Sequence, residues 1–262
     1  VLASERQARV LDEVKKRGAV RVAVLAEMFG VSDMTIRRDL DALSSQGLLD
    51  KVHGGATAPA PLSTSEPGFE AKWVQQQDEK AAIAAEAARL VEPGMAIGMS
   101  AGTTTWALAQ AVTDVARLTV VTNSMQVAQV LQRGSSVERT VILTGGVRTP
   151  SDALVGPVAV AALKQLHLDV LFLGVHGMTE RAGFSTPNLL EADVNRAFVN
   201  AAHRLVVVAD HTKWGQVGLS SIAALDAADI LISDTGLEPG ARQRIDELVG
   251  DLRLVGPADV TP

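Results

Sequence analysis

The chain has no cysteine and no tyrosine, and its only aromatic side chains are three Trp and five Phe in 262 residues. Without cysteine there can be no disulfide and no thiolate-held zinc or iron–sulfur cluster, and the five histidines lack ligand spacing. No metal and no cofactor is therefore expected. No apolar run approaches the roughly 20 residues that a membrane-spanning helix requires, and no basic-then-apolar leader opens the sequence. The expectation is a cytoplasmic protein without membrane contact. Low-complexity disorder is excluded as the overall class by 47% hydrophobic residues against 21% charged ones. That length and composition suffice for a small module and a larger domain, each with its own core.

The richest stretch is VSDMTIRRDLDALSSQGLLDKVHGGA, Val31 to Ala56. Ser32 stands where a helix N-cap belongs, its hydroxyl able to accept a first-turn N–H, so the helix is predicted to start at Asp33. Ile36, Leu40 and Leu43 fall on one face at i, i+4, i+7 spacing, while Met34, Arg37, Arg38 and Asp41 face the other way. Before it, Val22 to Phe29 reads as a short apolar helix ended by Gly30, whose freedom at positive φ suits a tight turn between helices. Upstream, SERQARVLDEVKKRG supplies a first helix with Val10, Leu11 and Val14 inward and a basic end, Lys15 to Arg17, at the negative pole of its dipole. Downstream, Leu48 to Val52 is strand-like and His53-Gly54-Gly55 is a turn. Together these make a helix-turn-helix with a β-wing, a grammar for reading DNA. A three-helix packing unit with solvated charges is the alternative.

The string TIRRDL, its spacing to a terminal HGGA and the short first helix resemble the DeoR family of bacterial transcriptional regulators, over Glu5 to Ala56. That resemblance implies double-stranded operator DNA as partner, with Ser32, Met34, Thr35, Arg37 and Arg38 on the reading helix and Lys51 and His53 in the wing. The family usually carries arginine where this chain has Lys51, which keeps the charge and loses the bidentate fork.

Net charge is −6, an unpromising total for a nucleic-acid binder, but charge acts by domain. Residues 1–57 hold nine basic and eight acidic side chains, leaving fifteen basic and twenty-two acidic ones in the remainder. A near-neutral module binds phosphate weakly on its own, so two modules on one operator, hence a homo-oligomer, are expected.

Residues 58–68, rich in Pro, Ala and Ser, read as a linker between a DNA module over 1–57 and a second domain over 69–262. In the second domain seven short apolar runs, MAIGM, LTVVT, TVILTGG, DVLFLGVHG, RLVVVAD, DILISD and LRLVG, alternate with helical patterns. The expected class is α/β, a Rossmann-like, mainly parallel sheet. In such sheets ligands bind beyond the carboxyl ends of the strands, and the unusual polar residues collect there. They are Ser100 to Thr105, then Asn123, then Gly145, Gly146 and Arg148, then His176, then Asp210 to Lys213. The Ser-Ala-Gly-Thr-Thr turn opens a helix, so its free N–H groups suit a phosphate.

The runs SAGTT, TN, LTGG, VGP, GFSTPNLLEADVNRAF and ADHTKWG, in that order, resemble the effector-sensing half of the same family, with the fold of sugar-phosphate isomerases. The resemblance implies a phosphorylated sugar as effector. Gly102, Thr103 and Thr104 would hold its phosphate, Lys213 would complement the charge, and Glu191 with Arg148 or Asp152 would contact hydroxyls. Ser100, Asn123, Gly145, Gly146, Asp152 and His176 complete the expected effector site. Ser100 stands where the family often carries Asp. Glu191 also reads as a solvated helix charge paired with Asn195 or Arg196. Trp106 and Trp214 are expected beside the ligand and Trp73 apart from them. The leading expectation is a non-enzymatic repressor of sugar metabolism. An isomerase-like enzyme using Glu191, Asp210, His176 and Lys213 as acid and base is the rival, and a ligand-independent architectural DNA binder a third reading.

Overall fold

A computed structural model describes residues 3–45, 48–52, 54–57, 64, 68–133 and 138–256. It divides into two compact units, Val1–Leu62 and Ser63–Pro262. Most of the 58–68 stretch and the wing residue His53 lie outside the described residues.

In the first unit α1 (Ala3–Arg17) leads to β1 (Ala19–Arg21), α2 (Val22–Phe29) and α3 (Asp33–Ser45), then to the hairpin of β2 (Asp50–Val52) and β3 (Gly55–Thr57). The apolar stripes named above close into one core of Val10, Val14, Leu25, Ile36, Leu40, Leu43 and Leu49, with Leu11 half-buried. Gly30 ends α2 at φ 63°, and the Ser32 hydroxyl accepts from the Thr35 N–H at 3.3 Å at the start of α3. The wing has three strands rather than two, because β1 pairs antiparallel with the far side of β3. Three residues, Ala-Val-Arg, are too few to show a period. Gly55 is required by that third strand, since a Cβ there would sit 2.2 Å from the Val20 carbonyl oxygen. Asp39, inside the TIRRDL run, turns inward at 3% exposure and accepts from Arg6 Nε at 2.5 Å and Gln7 Nε2 at 3.0 Å. That charge-assisted pair ties α3 to α1.

The second unit begins with α4 (Phe69–Trp73) and α5 (Gln77–Ala88), then β4 (Ala96–Met99), α6 (Thr103–Ala111), β5 (Leu118–Thr122), α7 (Met125–Arg133) and β6 (Arg139–Leu143). A small hairpin of β7 (Val147–Arg148) and β8 (Leu154–Val155) precedes α8 (Pro157–Leu163), whose first residue is Pro157, a position where the missing N–H costs nothing. The chain continues through β9 (Val170–Gly174), β10 (Gly177–Thr179), β11 (Gly183–Thr186), α9 (Leu189–Ala201) and β12 (Leu205–Val208). It ends with β13 (Ser220–Ala223), β14 (Ile230–Asp234), α10 (Pro239–Asp246) and β15 (Leu252–Val255).

All seven apolar runs become one parallel sheet in the order β15-β14-β12-β9-β4-β5-β6. Its central strands are buried on both faces by two clusters, one around Phe172, Ile97 and Leu108 and the other around Phe184, Phe198 and Leu231, while the edge strands β6 and β15 are partly exposed. From β4 the chain winds outward through β5 and β6, then returns to lay β9 on the other side of β4 and winds away through β12, β14 and β15. Helices leaving neighbouring strands β4 and β9 therefore diverge, which opens a crevice at the carboxyl ends. A second, antiparallel sheet β10-β11-β13 flanks that end. No helix of the described residues is long and apolar enough to cross a membrane.

Leu40 is 1% exposed and Met34 on the opposite face 59%. Leu40→Ala should cost the first unit about 2–5 kcal/mol in urea unfolding, and Met34→Ala within about 0.5 kcal/mol. Equal losses would mean that α3 faces the other way.

Candidate functional site

On the first unit, α3 presents Met34, Arg37 and Arg38 outward, with Thr35 half-buried and its hydroxyl 3.0 Å from that of Ser32. An exposed helix bearing two consecutive arginines within two turns of its start has the length and charge to enter a major groove. Lys51 on β2 is held by the Asp41 carboxylate of α3. A DNA phosphate would compete with that carboxylate for the ammonium, so the wing lysine is aimed before any DNA arrives.

The second unit holds a pocket at the ends of the central strands β12, β9 and β4. Gly102 precedes the first turn of α6, and Thr103 and Thr104 line the pocket with their hydroxyls. The first N–H groups of any helix lack intrahelical acceptors and carry the positive end of its dipole. Thr105 does not share in this, since its Oγ1 donates back to the Ser100 carbonyl at 2.7 Å and fixes the turn. Three lysines converge on the same space: Lys213 from the turn after β12, Lys72 from α4 and Lys80 from α5. Cationic groups and helix N–H groups of this kind attract anions.

Lys80 is 4% exposed, and its Nζ donates to the carbonyl oxygens of Lys72 at 2.6 Å and Gln75 at 2.5 Å. Burial pushes its pKa down to about 8; the Asp210 carboxylate opposes that shift, while the Lys213 and Lys72 charges add to it. Asp210 is fully buried. Its Oδ1 accepts from the Thr212 N–H at 3.1 Å, whereas Oδ2 has no hydrogen-bond partner among the described residues and lies 3.8 Å from Lys213 Nζ. A buried carboxylate oxygen in that condition is a strong acceptor awaiting a donor.

Glu191 closes the other side. It sits in the first turn of α9, capped by Asn188, and accepts from the hydroxyls of Thr149 at 3.1 Å and Thr186 at 3.0 Å and from Ser151. Arg196, one of the two partners expected for it, bridges to Asp193. Three hydroxyls fixing one carboxylate make a preoriented polar wall, to which Asn195 also contributes.

Of the expected effector residues, Gly102, Thr103, Thr104, His176, Glu191 and Lys213 line this pocket. Six others do not, for identifiable reasons. Ser100 is buried beneath it, its Oγ accepting from the Gly174 N–H at 3.0 Å and so sewing the end of β4 to the end of β9. Asn123 supports the phosphate turn from behind, accepting from the Ala101 N–H at 2.8 Å and donating to the Leu154 carbonyl at 3.2 Å. Gly145 and Gly146 follow β6, three strands from β9; Gly146 lies there because a Cβ would meet the Val155 oxygen at 2.3 Å. Arg148 is exposed and bound at 2.6 Å to Asp152, which also accepts from Gln126 at 2.8 Å. Their neighbour Ser151 reaches the pocket instead. Trp106, expected beside the ligand, does not line the pocket and instead packs edge-on to Trp73 with centroids 4.2 Å apart. Trp214 does not line the pocket; its neighbour Lys213 does.

Lys72, Lys80, Ser151, Thr186 and Asn195 were not expected in the site. Lys80 left a signal, because it shares a helical face with the buried Ala84 and Ala87 at i+4 and i+7. A lysine on an apolar face needs a reason.

The sequence matches two family models, the DeoR-like helix-turn-helix domain over residues 6–61 and the DeoR C terminal sensor domain over residues 75–235. Similar proteins include the uncharacterized HTH-type transcriptional regulator YulB of Bacillus subtilis, 34% identical over 94% of this chain and 95% of that one. The putative aga operon transcriptional repressor of Escherichia coli O157:H7 is 32% identical over 97% and 94% of the two chains. The HTH-type transcriptional regulator GlpR of Haloferax volcanii is 34% identical over 94% and 95%. Among solved structures, ribose 5-phosphate isomerase A from Methanocaldococcus jannaschii superposes with a TM-score of 0.39 at 17% identity, over 53% of this chain and 55% of that one.

A dianion beside Lys80 favours its charged form and raises its pKa from about 8. Binding above that value must take up a proton, so anion affinity falls as pH rises through it. Calorimetric titration with a phosphate ester from about pH 7 to 9.5 should show the dissociation constant rising up to about tenfold per unit above the lysine's pKa. In Lys80→Met the slope should be lost. A flat profile in the parent would contradict the placement of Lys80.

Proposed function

The chain belongs to the DeoR family of transcriptional regulators, and on that footing we propose that it represses a sugar-metabolism operon and leaves its operator when a phosphorylated sugar fills the pocket. The observation that carries this reading is the meeting, in one pocket, of cationic groups with carboxylates. Lys72, Lys80, Lys213 and the start of α6 supply the first, Asp210 and the hydroxyl-bound Glu191 the second. A phosphate monoester carries roughly two negative charges at neutral pH, and its sugar hydroxyls donate to carboxylates. The family relative described as a putative aga operon repressor supports the sign of regulation. The near balance of charge over residues 1–57 supports a homo-oligomer holding two half-sites, with centres about 34–36 Å apart or at multiples of that spacing.

The protein acts on this reading as a sensor and not as an enzyme. The isomerase alternative is separated by incubation with ribose 5-phosphate or glucosamine 6-phosphate, where catalytic turnover would favour the enzyme.

Two measurements test the proposal. In a thermal-shift panel, one phosphorylated sugar present at about a hundred times its dissociation constant should stabilise the protein by about 2.7 kcal/mol, raising Tm by roughly 5 °C or more. Its unphosphorylated counterpart should do nothing, and Lys213→Ala should shift the response to higher concentration. On operator DNA, Arg37→Ala or Arg38→Ala should cost about 1–3 kcal/mol where the arginine reads a base edge, while Lys51→Ala weakens all sequences alike. Affinity unchanged by both arginine substitutions would remove α3 from the interface.

A further inference from the structure

The side chain of Lys80 does two things at once. It lines the anion pocket with Thr103 and Lys213, and it holds the carbonyl oxygens of Lys72 and Gln75 at the end of α4. Helical side chains lean toward the N-terminus of their helix, so a residue in the first turn of α5 naturally reaches back over the turn that precedes it. That turn is under constraint. Gln76 is held at φ 50°, a region that a side chain adopts only where its surroundings enforce it. Ahead of the turn, Phe69 and Trp73 pack edge-on to Trp106 of α6, with centroids 6.3 Å and 4.2 Å apart. The segment Phe69–Gln76 is thus pinned at one end by Trp106, two residues past the pocket-lining Thr104 of α6, and at the other by Lys80, which lines the pocket itself.

This segment is also the path by which the chain passes from the linker into the sheet, since Gly68 follows residues 58–67 directly. An ammonium has three N–H donors. Two of those on Lys80 go to Lys72 and Gln75.

Resting on the reading of the pocket as an anion site, we infer that Lys80 is a clasp that couples occupancy of the pocket to the docking of Phe69–Gln76. An anion at the start of α6 takes the third donor and holds the ammonium charged. It thereby strengthens the two bonds that fix the end of α4, and by the reciprocity of linked equilibria a docked α4 binds the anion more tightly. Phe69–Gln76 is the element that carries occupancy toward the linker. Lys80 in this scheme both meets the anion and holds the end of α4, whereas Thr103 and Lys213 are assigned only the first of these roles.

Hydrogen exchange on the full chain tests the coupling, with inorganic phosphate, ribose 5-phosphate and glucosamine 6-phosphate as probes, each at saturation. In the parent, amides of Phe69–Gln76 should exchange about fivefold more slowly or less when a probe is bound, the low end of the usual range of coupling between sites. Thr103→Ala should need more anion but show the same protection once saturated. Lys80→Met should bind at higher concentration and gain no protection in this segment. Anion binding to the parent without protection of Phe69–Gln76 overturns the clasp and leaves the pocket standing. Failure of every probe to bind overturns both. The parent comparison needs no variant to fold.

Discussion

A parallel strand cannot return to its neighbour by a tight turn, so each step across the main sheet needs a long crossover, helical in all but the step from β12 to β14. Everything in the sensor half follows from where those crossovers change direction. Because β5 and β6 are laid to one side of β4 and β9, β12, β14 and β15 to the other, the helices leave a gap above β4 and β9. The turn 100–104 and the turn after β12 open into that gap. Ser100 sews its floor across the change of direction through the Gly174 N–H. No hydrogen bond within the pocket would mean anything if β9 lay beside β6.

Into that gap the fold puts more buried charge than stability alone would favour. Lys80 and Asp210 are buried there, and Lys213 Nζ stands 3.8 Å from Asp210 Oδ2. Burying charges this loosely costs free energy that tight pairing would recover. By contrast, Asp39 in the DNA unit accepts from Arg6 Nε at 2.5 Å and from Gln7 Nε2 at 3.0 Å. One arrangement is a structural tie between helices. The other is a group of buried charges gathered around one pocket.

Much of this was readable in advance. The seven apolar runs gave all seven strands of the main sheet, because a strand buried on both faces must be apolar throughout. Ser32, Gly30 and Pro157 marked their helix ends through local backbone chemistry that needs no tertiary context. Placing residues at strand ends was likewise local and held. What the sequence could not state was the lateral order of those strands, which depends on crossovers many residues long. Asn123, Gly145, Gly146 and Arg148 follow strand ends as Gly102 and Lys213 do, yet only the central strands border the crevice. Lys80 and Ser151 were missed for a related reason, since they arrive from α5 and from the β7–β8 hairpin rather than from a strand of the main sheet. The three-residue β1 was too short to carry a pattern.

The central claim is that the sensor pocket controls the DNA unit through the charge of its guest. The most direct measurement is the anisotropy of labelled operator DNA bound to the full chain, titrated with a sugar phosphate and separately with the same sugar lacking phosphate, for parent and Lys213→Ala. The account predicts release by the phosphorylated form alone, at a concentration raised in Lys213→Ala while affinity for DNA without effector stays as in the parent. Release by the neutral sugar, or release from Lys213→Ala at the parent's concentration, would contradict it.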